Sequence, residues 1–189
     1  MGQNIFDNEV PHWILKAREK WEYFGQARPP FAEIPKAGQR SVWDFPRPPA
    51  IEKSLKKLKI KHGAELVAAS HNALAILETA SPSTYYVPPE DINYKLLVKI
   101  PKRESLCEWK GNAVYWALKN DPMAPIAWSY PKPFQEYIIL KDYFAFYPQH
   151  LECYLDGERI VPQTGEFYAG WITSDLSGPF KGKPGTGHW

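Results

Sequence analysis

The stretch "CEWKGNAVYWALK", residues 107–119, decides the fold. Its second half, Val114, Tyr115, Trp116, Ala117 and Leu118, is β-branched, aromatic and apolar, the composition of a strand on a half-buried pleated surface. Its first half places Cys107, Glu108 and Lys110 close together and then Gly111. In an ideal strand Lys110 shares a face with Val114 and Trp116. Long charged side chains are rarely buried unless paired, and leaving one unpaired costs several kcal/mol. Lys110 is therefore expected to reach a cleft or to meet a carboxylate. Glu78, which closes the apolar element "ALAILET" (73–79), is the expected partner. Gly111 predicts a bulge or a close backbone approach that re-aims a side chain.

Neighbouring stretches repeat the β pattern. "LKKLKIKHGAELVAAS" (55–70) reads as two short strands about a His62-Gly63 turn. Its lysines alternate with Leu58 and Ile60, as on a lysine-protected edge strand or a phosphate-binding stripe. "SPSTYYVPPED" (81–91), "APIAWSYP" (124–131) and "YFAFYP" (143–148) read as aromatic strands with proline stops. "LECYLDGERIVP" (151–162) reads as a hairpin turning at Asp156-Gly157. Upstream, "VPHWILKAREKWEYFGQ" (10–26) has Trp13, Ile14, Ala17, Trp21 and Phe24 near helical spacing, with Gly25 as a stop. The proline-dense run 27–52 reads as an extended connector laid on the surface by Phe31, Trp43 and Phe45. The tail "SDLSGPFKGKPGTGHW" (174–189) is too rich in Gly and Pro for regular structure, although Phe180 and Trp189 are able to pin it.

The expected fold is mainly β: a compact antiparallel β-rich domain over residues 51–161. An N-terminal helical arm and connector occupy 1–50, and a Gly/Pro-rich C-terminal extension occupies 162–189. Aromatic residues form 15% of the 189, and nineteen prolines accompany them, which favours strands and turns over long helices. A net charge of +2 gives no reason to expect a nucleic-acid or membrane partner. Two cysteines without a short-spaced motif fit a reducing, cytoplasmic setting. No signal-peptide pattern opens the chain, and the Met1-Gly2 lipidation motif lacks the Ser or Thr it needs at Phe6. No apolar run is long enough to span a bilayer.

Several chemistries are missing from the sequence. There is no Gly-rich phosphate loop, no G-x-S-x-G elbow, no H-E-x-x-H and no C-x-x-C. His150-Leu-Glu-Cys153 has the spacing of half a zinc site without the other half, so no metal and no cofactor is expected.

The ordered set "LETASPSTYYVPPEDI", "CEWKGNAVYW", "AWSYPKPF" and "YFAFYP" resembles the bacterial family catalogued as domain of unknown function 427, over roughly residues 62–155. The matching positions are Glu78-Thr79, Tyr85, Tyr86 and Pro88, Cys107, Lys110 and Gly111, Trp128 to Pro131, and Phe146 to Pro148. Trp109 stands where a Tyr is common, and "KRESLCEWKG" (102–111) is a compact form of the family's approach to Lys110. The arm and tail look like those of cyanobacterial and related members. The resemblance also carries a nucleotidyltransferase-like label. Nucleotidyl transfer needs paired carboxylates to hold metal beside a triphosphate. No Asp-x-Asp or Asp-x-Glu lies on a plausible strand, and Asp156-Gly157-Glu158 falls in a hairpin turn.

These residues predict a small-molecule cleft. Glu78 is its candidate acid, base or anchor. Lys110 is the anion holder or the activator of Cys107, since a neighbouring ammonium favours a thiolate nucleophile. Tyr86, Tyr115, Trp116, Trp128 and Tyr130 are its candidate walls. Core packing of the aromatics, inert burial of Cys107 and a structural Glu78–Lys110 ion pair are the competing readings. A protein-interaction module working through the Trp- and Pro-rich arm and tail is the alternative function, with single-stranded nucleic acid the weakest. The ligand, any reaction and the oligomeric state are left open.

Overall fold

Alternation along "FAF" (144–146) shows how the chain is layered. Phe144 and Phe146 point into one core, and Ala145 between them joins another. The same period of two sends Ala75 and Leu77 to the first core and Leu74 and Ile76 to the second. A sheet with apolar residues on both faces must be covered on both, and this one is.

The computed structural model describes residues 10–189, so the Met1-Gly2 motif and Phe6 lie outside the described residues. In chain order the elements are α1 (His12–Arg18), β1 (Arg40–Ser41), β2 (Ala50–Lys53), β3 (Leu58–His62), β4 (Glu65–Ser70), β5 (Leu74–Leu77), β6 (Thr84–Val87), β7 (Leu97–Cys107) and β8 (Gly111–Leu118). They continue with β9 (Asp121–Pro133), β10 (Phe144–Phe146), β11 (Glu152–Leu155), β12 (Glu158–Arg159), β13 (Val161–Pro162), β14 (Trp171–Ile172) and β15 (Leu176–Ser177). The fold is mainly β with antiparallel sheets. A seven-stranded sheet runs β2-β5-β6-β10-β9-β8-β7, and a four-stranded sheet runs β12-β11-β3-β4. Leu58, Ile60, Val67 and Ala68 of the smaller sheet share a core with Val87, Leu97, Phe144 and Phe146 of the larger.

Several local readings change. The first helix is only seven residues long, because Trp21 leaves the helical path to lie against Arg47 and Lys181. Strand β3 is not an edge: it pairs with β4 on one side and β11 on the other, and its lysines line its outer face. Cys107 pairs with Gly111, so residues 108–110 form the turn of the β7–β8 hairpin and Lys110 does not lie within a strand. Gly111 makes this turn with φ +98, a conformation that an L side chain rarely adopts. The tail does contain a strand: Leu176 and Ser177 of β15 pair in parallel with Arg40 and Ser41 of β1. Trp189 stacks on Phe31 with ring centroids 5.1 Å apart and meets Trp43 edge-on, joining tail to connector. The hairpin at Asp156-Gly157 forms between β11 and β12.

Candidate functional site

The β7–β8 turn is clamped from outside. Arg18 Nε donates to the Glu108 carbonyl at 2.8 Å, and its guanidinium forms a forked pair with Glu136. The same guanidinium lies over the Trp109 ring, 4.8 Å from its centroid. Held there, Trp109 and Lys110 are both buried. Lys110 is only 7% exposed, and its Nζ stands 6.0 Å from the Tyr137 ring centroid. Among the described residues Lys110 makes no ion pair within 4.0 Å.

Lys110 lines a cleft of about 380 Å³ on the face of the large sheet away from the small one. Glu78, Tyr86, Cys107, Tyr115, Trp128 and Tyr130 line the same cleft. Tyr86 and Trp128 meet edge-on, and Trp128 Nε1 donates to Tyr86 Oη at 3.2 Å. Tyr115 Oη is 2.7 Å from Ser105 Oγ. Cys107 is half-buried at the end of β7 and is a free thiol. Trp116 does not join the cleft. It follows Tyr115 on β8 and so points to the opposite face, where its Nε1 donates to Ser129 Oγ at 3.0 Å and its ring packs on Phe144.

Glu78 lines the cleft but is not paired with Lys110. Its Oε1 takes the Arg47 guanidinium at 3.3 Å. Arg47, with its side chain fully buried, also donates to the Tyr23 and Thr79 carbonyls at 2.9 and 3.0 Å and lies over Trp21. Sequence reasoning missed Arg47. The available signal was a charge inside "FPRPP", among buried aromatics and stiff prolines. It also missed the far wall, made by Trp21 of the arm and by Gln163, Phe167, Tyr168 and Lys181 of the C-terminal extension. Gln149 Nε2 holds that wall through the carbonyls of Gln163, Gly165 and Tyr168, at 3.1, 2.9 and 2.6 Å. Nothing in the local pattern of 163–181 marks these residues as cleft-facing, because long-range docking puts them there.

Lys110 and Lys181 line the cleft together with Glu78 and Glu108, and Arg47 pairs with Glu78 from outside the lining. Burial disfavours the Lys110 ammonium. Cys107, Tyr86, Glu78 and Tyr137 raise its pKa against that cost, the phenols only where they are themselves ionised. Burial, only partly offset by Lys110, pushes the Tyr86 phenol up to about 12, and burial raises Tyr130 well above its usual range. The two phenols are therefore neutral hydrogen-bonding walls, not bases.

Among the described residues no three His, Cys, Asp or Glu side chains gather as a metal site requires. The carboxylates of Asp156 and Glu158 cap backbone: Asp156 accepts from Lys57 N at 2.7 Å and Glu158 from Ser174 N at 2.7 Å.

Residues 50–157, more than half of the chain, match the family described as Domain of unknown function (DUF427). No curated protein matches the chain.

Proposed function

We propose, for a chain that belongs to the family described as Domain of unknown function (DUF427), that the cleft binds a small organic anion with a flat apolar body. Cys107 is then the candidate nucleophile beside that ligand, and Glu78 is the anchor of the arm-side wall through Arg47. One observation carries the reading. Lys110, 7% exposed and without an ion-pair partner among the described residues, lines a cleft of about 380 Å³. A buried ammonium needs an anion, and a bound carboxylate supplies one. Tyr86, Trp128 and Tyr130 supply flat walls for the body of such a ligand.

The interaction-module alternative has less support, because Phe31, Trp43 and Trp189 are engaged with one another inside the chain. The free Cys107 and Cys153 are in keeping with a reducing, cytoplasmic setting. No helix among the described residues is long and apolar enough to cross a membrane.

The test is a tryptophan-fluorescence titration with benzoate, using benzamide as the uncharged control. Benzoate is expected to quench saturably and benzamide weakly. Lys110→Met is expected to weaken benzoate roughly tenfold to a hundredfold, the value of a hydrogen bond to a charged group. Equal binding of the two compounds, or unchanged benzoate binding in the variant, would overturn the reading.

A further inference from the structure

The cleft has a second polar group that this reading does not use. Ser105 of β7 and Tyr115 of β8 both line it, and their hydroxyl oxygens stand 2.7 Å apart. Tyr115 lies four residues along β8 from Gly111, about 13 Å at the rise of an extended strand, and Lys110 sits in the turn just before that glycine. The cation and the hydroxyl pair are therefore carried by well-separated points of one hairpin.

The floor beside the pair is aromatic. Tyr115 is paired with Trp128 in the β8–β9 register, Trp128 with Ala145, and Ala145 with Tyr86. Side chains in such a cross-strand row share one face of the sheet. The short Ala145 lets Trp128 and Tyr86 meet over it, with ring centroids 6.2 Å apart. At the other end of the row the Arg103 guanidinium carbon lies 5.6 Å from the Tyr115 ring centroid, which holds the ring that carries the hydroxyl.

As a tie between strands the hydroxyl pair is redundant, because backbone pairing already joins β7 to β8 from Glu104 and Val114 to Cys107 and Gly111. Two hydroxyls carry two hydrogens, and their mutual bond uses one. The second hydrogen and the remaining lone pairs let the pair donate to and accept from one further oxygen. A hydroxyl group, itself both donor and acceptor, matches that.

We propose that Ser105 and Tyr115 are the specificity-determining end of the cleft and bind a phenolic hydroxyl of an aromatic acid, whose ring lies against Trp128 and whose carboxylate meets Lys110. The separation of Tyr115 from the turn favours an acid with a spacer between ring and carboxylate, as in a hydroxycinnamate. The carboxylate end rests on the Lys110 reading above, whereas the hydroxyl end stands on Ser105 and Tyr115.

The experiment is calorimetric titration of the full chain with 4-hydroxycinnamate and with cinnamate, which lacks only the hydroxyl. The hydroxylated acid is expected to bind roughly tenfold more tightly, the worth of about one hydrogen bond. Tyr115→Phe keeps the ring and is expected to bring the two affinities together, and Ser105→Ala is expected to narrow the gap. Lys110→Met is expected to weaken both acids alike and to keep their ratio. Equal affinities in the unaltered protein, or a tenfold gap that persists in Tyr115→Phe, would overturn the role of the hydroxyl pair. The anion reading would survive that result if Lys110→Met still weakened cinnamate. A gap closed by Tyr115→Phe, with both acids indifferent to Lys110→Met, would support the hydroxyl pair and sink the anion reading alone. No binding of either acid would overturn both.

Discussion

Glu78 is held by Arg47, whose guanidinium approaches its Oε1 at 3.3 Å, while Lys110 lines the same cleft without a carboxylate partner. The arm-side connector therefore brings its own cation to the one acidic side chain that closes β5. Lys110 is left as the uncompensated charge. The two cations are expected to respond to mutation with opposite signs.

Arg47→Met is expected to destabilise the protein by about 3–5 kcal/mol, because it strands Glu78 and leaves the Tyr23 and Thr79 carbonyls without their donor. Arg47→Lys is expected to recover less than half of this, since an ammonium lacks the planar fork that serves three acceptors. Urea unfolding reads both. A loss below roughly 0.5 kcal/mol in Arg47→Met, the range of ordinary surface substitutions, would remove Arg47 as the brace of the cleft.

Lys110→Met is expected to leave stability unchanged or raise it by about 1 kcal/mol, as when a desolvated charge is replaced by an apolar side chain of similar length. A thermal melt beside the benzoate titration shows whether affinity and stability move in opposite directions. A loss of more than roughly 2 kcal/mol would instead make Lys110 a structural support of the hairpin.

Gly111→Ala tests how the turn aims Lys110. The residue sits at φ +98, and an added Cβ would come within 3.3 Å of Phe134 N and 3.4 Å of the Lys132 carbonyl. A cost of about 1–3 kcal/mol is expected from the backbone alone. Benzoate affinity is expected to fall as well, because the adjacent Lys110 moves. Unchanged urea midpoints would show that the turn does not need the positive φ.

Alkaline pH is expected to weaken the fold through Tyr86. Its folded pKa is raised to about 12 by burial, while an unfolded tyrosine ionises near 10. The stabilisation is complete below pH 10 and is lost as pH climbs toward 12, by roughly 3 kcal/mol from this group. Tyrosinate absorbance is expected to lag behind that of free tyrosine and then to rise together with unfolding. Independent ionisation of Tyr86 near pH 10 in the folded protein would contradict this.

Lys181 acts in the opposite direction. Its folded pKa is lowered to about 8 from the ordinary 10.5, so between these values the unfolded chain holds the proton that the folded one has released. Stability is expected to rise with pH through that window on this account, and Lys181→Met is expected to flatten the rise. Urea midpoints at pH 7.5 and 9.5 compare the two proteins. An identical slope in both would show that Lys181 does not titrate there.

Most of the β framework was legible from residue order, because its cause is local. Period-two alternation in 58–60, 74–77 and 144–146 places the apolar side chains, and Asp156-Gly157 turns a hairpin wherever such a pair separates two strands. The near wall of the cleft was legible for a related reason: Glu78, Tyr86, Cys107, Lys110, Trp128 and Tyr130 are polar or amphipathic residues set among apolar strand residues. Which face each one takes was not. Trp116 left the cleft because the register of β8 gives that face to Tyr115. Lys110 moved from a strand into a turn because Cys107 pairs with Gly111. The partner of Glu78 and the far wall were beyond any local reading. Arg47 reaches Glu78 across 31 positions, and Lys181 reaches Trp21 across a separation set only by the docking of arm and tail. The order of residues determined which segments are strands and which side chains are out of place in them. Burial of a two-faced sheet under distant segments decided which charges meet, since that depends on tertiary packing and not on neighbours along the chain.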